Sequence, residues 1–363
     1  MIDVLVVGGG PVGLATAIGC TLAGLSVTVA EPRTAPVDKA CGEGVMPAAV
    51  RRLAALGVTL DGYPLRGIRY LDAGHQADAP FRHGGGLGVR RTALHAALAA
   101  RAAALGIAVL PVRVTAFSRH AAHVTAAGVE ARYLVAADGL HSTIRRALEG
   151  DAGVAPARPG PRDPASPGPP RYGLRRHYRV APWSDLVEVH WRPGAEAYVT
   201  PVSADVVGVA VLFAKPHQDE GRQGETGGDF TARLSAFPAL LDRLGGAAPA
   251  SEVRGAGPMR QDVRRRVAGR VLLAGDASGY VDALTGEGIS VGLAQADALA
   301  ACLAVGRPAD YERAWRRASG PAWRFTAGLL WSRNQPLLGP RIVPAAQRFP
   351  WLFAALVNHA ANA

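Results

Sequence analysis

Three glycines near the start of the chain are spaced to hold a phosphate group. Gly8, Gly10 and Gly13 form the pattern GxGxxG between an apolar run, VLVV, and a small-residue run with helical periodicity, LATAIGCTLAGL. Glycines at these positions permit a tight turn, a close approach of the backbone to a pyrophosphate, and packing of the helix on the strand. Glu31 ends the next apolar run, VTVAE, where a carboxylate would accept hydrogen bonds from ribose hydroxyls. This strand, turn, helix, strand and acid predict a dinucleotide site.

Two later segments favour FAD over NAD as the dinucleotide. The first, ADGLHSTIRR, contains Asp138 and Gly139. The second, GRVLLAGDASGYVDALTGEGI, contains Gly275 and Asp276 and then a GEG turn that starts a helical run. On these three fingerprints, in this order, the sequence resembles the FAD-dependent oxidoreductases of the para-hydroxybenzoate hydroxylase type, which include aromatic-ring monooxygenases and geranylgeranyl reductases. The resemblance covers nearly the whole chain.

The resemblance implies a role for each matching residue. Asp276 would hydrogen-bond the ribityl chain, and Arg91, in RRTAL, would reach the pyrophosphate region. Asp138 and Gly139 would lie near the pyrophosphate and near a nicotinamide. The helix that begins near Gly288 would direct its N-terminus at the N1–C2 carbonyl edge of the flavin, where its partial positive charge favours the anionic reduced ring. The residues expected to bind FAD are Gly8, Gly10, Pro11, Val12, Gly13, Glu31, Arg33, Cys41, Arg91, Asp138, Gly139, Gly275, Asp276, Gly286, Gly288 and Ile289.

The segment DKACGEGVMP, residues 38–47, places a single cysteine in a glycine-rich loop. It resembles the KxCGxG loop of the geranylgeranyl reductases, in which the cysteine lies beside the isoalloxazine. We expect Cys41 to shape the flavin and substrate cavity, with inert packing and metal ligation as alternatives. Glycines in this loop let the backbone approach a ring closely. Glu43 is the nearest candidate acid or base, or else a solvated carboxylate.

The resemblance implies one of two reactions. In a monooxygenase, NAD(P)H reduces FAD, and a flavin C4a-hydroperoxide then hydroxylates an aromatic or polyketide-like small molecule in a dry pocket. In a reductase, the flavin hydride passes to a prenyl or polyene C=C bond. We expect the monooxygenase, because EAYVTPV lacks two aromatic residues of the reductases' YxWxFP element. A flavin-binding partner protein without turnover is the non-enzymatic alternative.

Several further features narrow the chemistry. No second GxGxxG follows a strand, so NAD(P)H is expected to visit the flavin only transiently. Trp191 stands in HWRPG rather than in the WxWxIP signature of flavin halogenases, which disfavours halogenation. Alternate residues of EAYVTPV share a strand face, so Tyr198 joins Cys41 as a candidate wall of the catalytic pocket. His177 and His190 belong to the same predicted sheet.

The elements that must position these residues fall into two lobes and a C-terminal segment. Helical runs MPAAVRRLAALG and VRRTALHAALAARAAALG and a strand AVLPVRVTAF extend the first βαβ unit into an α/β, Rossmann-like FAD-binding domain. Four short runs rich in β-branched and aromatic residues predict an antiparallel-sheet substrate domain. The predicted boundaries are 1–64, 82–150 and 255–305 for the FAD-binding domain, 65–81 and 172–254 for the substrate domain, 151–171 for a proline-rich linker or loop, and 306–363 for C-terminal helices.

Composition and charge exclude several other classes. The net charge is +11, but the basic residues are scattered and almost all are arginines, so no nucleic-acid partner is expected. Cys20, Cys41 and Cys302 form no CxxC pair, which argues against a disulfide scaffold or a metal site and favours a cytoplasmic location. No unbroken apolar span predicts a transmembrane segment. Residues 323–357 are expected to pack over the substrate lobe, with peripheral membrane contact as the alternative; the oligomeric state stays open.

Overall fold

The structure, a computed structural model, describes residues 1–150, 169–214 and 227–362. The strands of the first half of the chain are β1 Ile2–Val7, β2 Val27–Ala30, β3 Gly44–Val45, β4 Tyr63–Leu65, β5 Gly67–Leu71, β6 Gln76–Pro80, β7 Gly86–Gly88, β8 Ala108–Leu110, β9 Ser118–Arg119, β10 Val124–Ala126 and β11 Val129–Ala136. Those of the second half are β12 Arg171–Arg179, β13 Leu186–Arg192, β14 Ala195–Pro201, β15 Val206–Ala214, β16 Arg254–Ala256, β17 Val267–Ala268 and β18 Val271–Leu273. The helices are α1 Pro11–Leu22, α2 Pro47–Ala55, α3 Arg91–Ala104, α4 Thr143–Glu149, α5 Gly227–Leu234, α6 Pro238–Leu244, α7 Gly288–Ala304, α8 Tyr311–Asn334, α9 Ile342–Arg348 and α10 Pro350–Ala361.

The first sheet has the parallel core expected of a dinucleotide-binding domain. Its strands lie in the order β17-β18-β11-β1-β2-β8, and β10 with β9 extends it from β11. Val4 and Val6 of β1 pack with α1, α3 and α7, whereas Leu5 and Val7 pack on the opposite side with α4 and β10. Because both faces of β1 are covered from Val4 to Val7, this part of the strand is continuously apolar instead of alternating. The predicted α/β FAD-binding fold is confirmed.

The second sheet forms a wall beside the first. Its strands lie in the order β16-β12-β15-β14-β13-β5-β6, and the four predicted runs are β12 to β15. All neighbouring pairs are antiparallel except β13 with β5, in which Leu186 lies opposite Gly67. A third sheet has three strands in the order β3-β7-β4. Along the chain, β3 and β4 come before β5 and β6 of the second sheet, and β7 comes after them. The boundaries of the two domains stay a prediction.

Three expectations can be compared with the elements directly. The predicted strand AVLPVRVTAF is wrong in length, because only Ala108–Leu110 pairs and Pro111 follows with no N–H to donate to a ladder. The predicted C-terminal helices are present as α8, α9 and α10. The proline-rich stretch 151–171 falls almost entirely on residues outside those described. Among the described residues, no helix is both long and apolar enough to pass through a bilayer.

Candidate active site

The glycine-rich turn between β1 and α1 has no room for side chains. Gly8 has φ +104°, and a Cβ there would lie 2.4 Å from the carbonyl oxygen of Ala137. A Cβ on Gly13 would lie 1.8 Å from the carbonyl oxygen of Gly8. Both contacts are far below any tolerated separation, so the turn and the end of β11 approach each other only because these residues are glycines. The first turn of α1 is thereby left with free N–H groups at the edge of the sheet.

Two buried side chains, Glu31 and His95, hold this turn in place through contacts with the backbone of Gly9. Gly9 donates its N–H to Oε2 of Glu31 at 2.9 Å, and Nε2 of His95 lies 2.9 Å from the carbonyl oxygen of Gly9. His95 lies on α3, so the helix and the turn hold a fixed separation. Burial, followed by the charge of Arg91, lowers the pKa of His95, which favours the neutral ring.

Arg91, the first residue of α3, carries a cation without a complete set of partners. Its guanidinium is buried, and Nη1 has no hydrogen-bond partner among the described residues. Nη2 would lie 3.8 Å from a Cβ placed on Gly10, so the cation faces the glycine-rich turn. Burial lowers the pKa of Arg91, which shows that the charge is poorly solvated. An anion beside Gly10 would supply the missing interaction.

The carboxylate of Glu31 already accepts several hydrogen bonds within the protein, which the sequence does not indicate. Its Oε1 accepts hydrogen bonds from the backbone N–H and Nε of Arg33, and Nη2 of Arg33 reaches Oε2 at 2.9 Å. Burial alone would raise the pKa of Glu31, but the hydrogen bonds from Arg33 and Gly9 lower it overall. A ribose hydroxyl would therefore share this carboxylate with Arg33, and the ribose contact stays a prediction.

A cavity of about 470 Å³ joins the glycine-rich turn to the second sheet. Most of the residues expected to bind FAD or to line the pocket lie on its wall. Gly8, Gly13 and Glu31 do not; they shape the turn from behind. The expected residues on the wall are Gly10, Pro11, Val12, Arg33, Cys41, Arg91, Asp138, Gly139, Tyr198, Gly275, Asp276, Gly286, Gly288 and Ile289. Wall residues that the sequence did not single out include Lys39, Met46, Thr200, Leu212, Met259 and Tyr280.

Cys41 lies on the cavity wall as a protonated thiol. It is a free cysteine, and its Sγ accepts a weak hydrogen bond from the backbone N–H of Glu43 at 3.4 Å. Burial raises the pKa of the Cys41 thiol, and the charge of Arg91 offsets this only in part. A protonated thiol is a poor nucleophile and a poor metal ligand. Its position therefore suits a small polarisable wall, not a covalent catalyst.

Glu43 is a buried structural carboxylate, so its interpretation as a solvated group is wrong. It is 2% exposed and its backbone has φ +60°. Oε1 accepts the backbone N–H of Arg91 at 2.8 Å, and Oε2 lies 2.5 Å from Nε2 of His177. The Cys41 loop, the first turn of α3 and strand β12 are therefore joined at one side chain.

His177 and Arg175, both on β12, complete this buried cluster. Nδ1 of His177 lies 2.8 Å from Oγ of Ser251 and 3.1 Å from Nη1 of Arg175. Nη2 of Arg175 donates to Oδ1 of Asp38 at 2.5 Å. Arg175 is 1% exposed, and it lines the cavity while its charge is balanced by the loop. The predicted sheet histidine thus holds the Cys41 loop from behind.

Gly275 and Asp276, which form the GD fingerprint, line another part of the cavity wall. Gly275 has φ +62°, and a Cβ there would lie 3.3 Å from Val12. Its N–H donates to Oε1 of Gln295 on α7 at 2.7 Å. Asp276 pairs with Nζ of Lys39 at 3.1 Å, and both side chains are only partly buried. Asp276 can therefore also accept hydrogen bonds from a polar chain that lies along the cavity.

The loop before α7 is fastened to the second sheet. Tyr198 donates its phenolic O–H to the carbonyl oxygen of Leu284 at 2.7 Å. Arg171 of β12 donates to Asp282 at 2.8 Å and to Glu196 at 2.7 Å, and Arg333 of α8 pairs with the same glutamate. These contacts fix the approach to α7, whose first residue, Gly288, faces the cavity.

The sheet wall is made of side chains that alternate along β14. Tyr198 and Thr200 both line the cavity, together with Leu212 on β15. Burial raises the pKa of Tyr198 well above its usual range, and its proton is already donated to Leu284, so it does not serve as an acid at neutral pH. His190 and Trp191 lie outside the cavity, where Trp191 packs against Tyr70 at 5.1 Å between ring centroids.

These residues fit FAD in two independent ways. The buried Nη1 of Arg91 beside the glycine-rich turn has no partner among the described residues and suits a pyrophosphate, whereas the unpartnered Oδ1 of Asp138 could accept a hydrogen bond only from an O–H or N–H group. The start of α7 and the Cys41 loop frame a space with largely apolar walls that suits a planar ring. Held there, FAD would supply redox chemistry that none of these side chains can perform.

Comparison with known proteins agrees with this geometry. The chain is 29% identical to a menaquinone reductase of Mycobacterium tuberculosis, over 98% of this chain and 89% of that protein. It is 31% identical to a rifampicin monooxygenase of Streptomyces venezuelae, over 82% of this chain and 62% of the relative. The flavin-dependent brominase Bmp2 has the same fold, with a TM-score of 0.80 at 19% identity over 99% of this chain and 93% of the other. A family model described as FAD binding domain matches residues 1–307, and the chain therefore belongs to this family of FAD-dependent oxidoreductases.

Proposed function

We propose that the protein is an NAD(P)H-dependent FAD monooxygenase that hydroxylates an aromatic or polyketide-like small molecule. The observation that carries the proposal is the single cavity in which the three FAD fingerprints meet an apolar sheet wall. Its volume, about 470 Å³, lies within the range of about 300–1,000 Å³ that is usual for small-molecule sites. FAD bound there would supply activation of molecular oxygen after reduction by NAD(P)H.

The chain's own residues would bind and orient the cofactor. Arg91 and the first turn of α1 would neutralise the pyrophosphate, and Asp276 would accept hydrogen bonds from the ribityl chain. Gly288 would direct the partial positive charge at the start of α7 toward the flavin ring. No side chain in the cavity is proposed as a covalent catalyst, because Cys41 is a protonated thiol.

The sheet wall would exclude water from the reacting ring. Leu212 and Met259 present apolar surface to the cavity, and Tyr198 directs its hydroxyl away into a hydrogen bond with Leu284. Water exclusion protects a reactive oxygen species from unproductive decay. The relative named rifampicin monooxygenase supports a monooxygenase reaction, and this chain spans 62% of that protein.

A second candidate is reduction of a C=C bond in a prenyl or polyene compound. It is favoured by the menaquinone reductase relative, which matches 98% of the chain, and by the position of Cys41 in a glycine-rich loop on the cavity wall. NADH and NADPH are equally compatible with either reaction.

Turnover with labelled oxygen separates the two candidates. The FAD-loaded protein would be supplied with NADPH or NADH and a panel of phenols, polyketides and prenyl or polyene compounds, under isotopically labelled oxygen and under nitrogen. Label in the product supports the monooxygenase. A product reduced under nitrogen and without label supports the reductase and overturns our first choice.

A wall variant ties either activity to this cavity. Ala210→Leu adds a larger side chain to the sheet wall and narrows the cavity. We expect product formation to fall while FAD stays bound. Ala55→Leu on the exposed end of α2 is the matched control. Equal activities of the two variants would place the reaction elsewhere.

A further inference from the structure

The C-terminal helices carry a large apolar surface that faces outward. Between Trp331 and Leu356, seven large apolar side chains are exposed, and Leu337 and Trp351 are 72% and 66% exposed. Singly exposed apolar residues are ordinary, but a concentration of them within one short stretch is not. We call these residues the C-terminal apolar surface: Trp331, Leu337, Leu338, Phe349, Trp351, Leu352 and Leu356.

Part of this surface belongs to the regular helix α10, so it does not result from fraying of the C-terminus. Its inner face buries Phe353, Ala354 and Val357 against the second lobe. Its outer face carries Leu352 and Leu356, which are exposed. A surface helix normally presents polar residues outward, and a helix that is apolar all round is normally covered on every side. The outer face of α10 therefore lacks the cover that its composition predicts.

The charge of the same segment has one sign. Residues 313–363 contain seven arginines and neither an aspartate nor a glutamate. Arg341 and Arg348 are exposed, and among the described residues neither pairs with a carboxylate. Nη1 of Arg341 donates to the carbonyl oxygen of Leu337, and the guanidinium carbon of Arg348 lies 5.6 Å from the ring centroid of Phe349. Cations thus lie directly beside the exposed apolar groups.

We propose that the C-terminal apolar surface docks the protein on an anionic phospholipid bilayer, without crossing it. Exposed tryptophan, phenylalanine and leucine beside arginine is the composition of a segment that lies in the membrane interface. The apolar groups enter the boundary between headgroups and acyl chains, and Arg341 and Arg348 meet anionic headgroups.

A second copy of this chain is a poorer occupant of the same surface. Pairing two copies through the C-terminal apolar surface would bring like charges together, with no carboxylate in residues 313–363 to balance them. A bilayer rich in anionic lipid supplies both the apolar layer and the opposite charge. Charge complementarity therefore selects the bilayer.

Docking would bring the cavity close to the bilayer. The inner faces of α8 and α10 bury Leu330 and Phe353 in the same cluster as Tyr198 and Leu284. Tyr198 lines the cavity directly, so one layer of helices separates the C-terminal apolar surface from the sheet wall. The inference concerns the location of the enzyme and does not depend on which reaction it performs.

Vesicle binding of the full-length, FAD-loaded protein tests the proposal. Phosphatidylcholine vesicles with and without phosphatidylglycerol would be sedimented with wild type, with Leu337→Ser/Trp351→Ser and with Arg341→Gln/Arg348→Gln. We expect wild type to bind only the anionic vesicles and to dissociate at high salt. Because each arginine near an anionic surface strengthens binding about fivefold, loss of two should weaken it about 25-fold.

Matched variants on the other lobe control for solubility and net charge. Val305→Ser removes an apolar side chain that is 67% exposed, and Arg113→Gln/Arg265→Gln removes two exposed arginines. We expect both to bind like wild type. Bound FAD confirms that every variant is folded, and the arginine pair provides an independent test if the apolar variant does not fold.

Two outcomes would overturn the proposal. Wild type that does not bind anionic vesicles, but forms a dimer that Leu337→Ser/Trp351→Ser dissociates, would assign the surface to self-association. Vesicle binding that the control variants reduce as much as the test variants would show only general attraction of a basic protein to anionic lipid.

Discussion

Oε2 of Glu43 lies 2.5 Å from Nε2 of His177, and both side chains are shut away from solvent. The second oxygen of the same carboxylate accepts the backbone N–H of Arg91. One side chain therefore holds the Cys41 loop, helix α3 with its buried Arg91, and the second sheet in fixed positions relative to one another.

Removal of the Glu43 carboxylate should destabilise the fold. Glu43→Ala leaves Nε2 of His177 and the backbone N–H of Arg91 buried without their shared hydrogen-bond partner, and each buried polar group left unsatisfied costs about 1–3 kcal/mol. Urea unfolding followed by circular dichroism measures the change. Glu252→Ala, at an exposed position, is the control and should change the free energy of unfolding by less than about 0.5 kcal/mol. Equal stabilities of the two variants would show that the hydrogen bonds of the Glu43 carboxylate do not stabilise the fold.

A methyl group on Gly13 should abolish FAD binding. The Cβ of Gly13→Ala would fall 1.8 Å from the carbonyl oxygen of Gly8, so the turn must move away from the phosphate position. Gly74→Ala, whose Cβ would have nothing within 4 Å, is the control. FAD content after purification distinguishes them: we expect a colourless Gly13→Ala and a yellow Gly74→Ala. A yellow Gly13→Ala would show that this turn does not hold the cofactor.

Arg91→Met should move FAD affinity and protein stability in opposite directions. A buried cation without full partners destabilises the FAD-free protein, so its neutral replacement should leave that form at least as stable. The same change removes a charge-assisted contact to phosphate, which contributes about 1.5–3 kcal/mol, or about 10- to 150-fold in affinity. Thermal unfolding without FAD and titration with FAD provide the two values.

The neighbouring arginine is the control for this prediction. Arg90→Met lies one residue earlier, just before α3, and does not line the cavity. It should leave FAD affinity unchanged. If Arg91→Met also leaves it unchanged, the pyrophosphate does not lie at Gly10.

Local patterns predicted much of the fold and part of the site. The first βαβ unit, the FAD fingerprints and strands β12 to β15 all depend on short-range periodicity and glycine spacing, which the sequence displays directly. Tyr198 was placed on the cavity wall by strand alternation alone.

Long-range pairings carried no such signal. Glu43 and His177 are 134 residues apart, and neither stands in a motif that predicts a buried pair. Arg175 has the sequence context of a surface arginine, yet it is 1% exposed because Asp38 and the Cys41 loop cover it. The parallel pairing of β13 with β5 likewise depends on how the lobes meet, which no local pattern encodes.

Glu287, just before α7, should make stability fall as pH rises. Burial raises the pKa of Glu287 to about 7 from an unfolded value near 4.5, while Thr285 opposes the rise more weakly, and neither carboxylate oxygen has a well-formed hydrogen bond to a described residue. The folded state then holds this proton more tightly than the unfolded state. Its contribution is complete below about pH 4.5 and is lost as pH rises to about 7.

Glu287→Gln isolates this effect, because glutamine has nearly the same shape and no charge. At pH 8 the variant should be more stable than wild type by up to about 3 kcal/mol, and near pH 4 the two should be alike. Glu130→Gln, at an exposed position on β11, should show no such difference. Parallel stability curves for wild type and Glu287→Gln across this range would contradict the buried, neutral carboxyl.

We expect one FAD to lie across the cavity, with its pyrophosphate beside Gly10 and Arg91 and its ring between the Cys41 loop and α7. Calorimetric titration of the FAD-free protein with FAD tests this placement most directly. We expect saturation at one FAD per chain, with affinity weakened by Arg91→Met and unchanged by Arg90→Met. Failure of the wild-type protein to take up FAD would contradict this placement, as would an Arg91→Met variant that binds FAD as tightly as wild type.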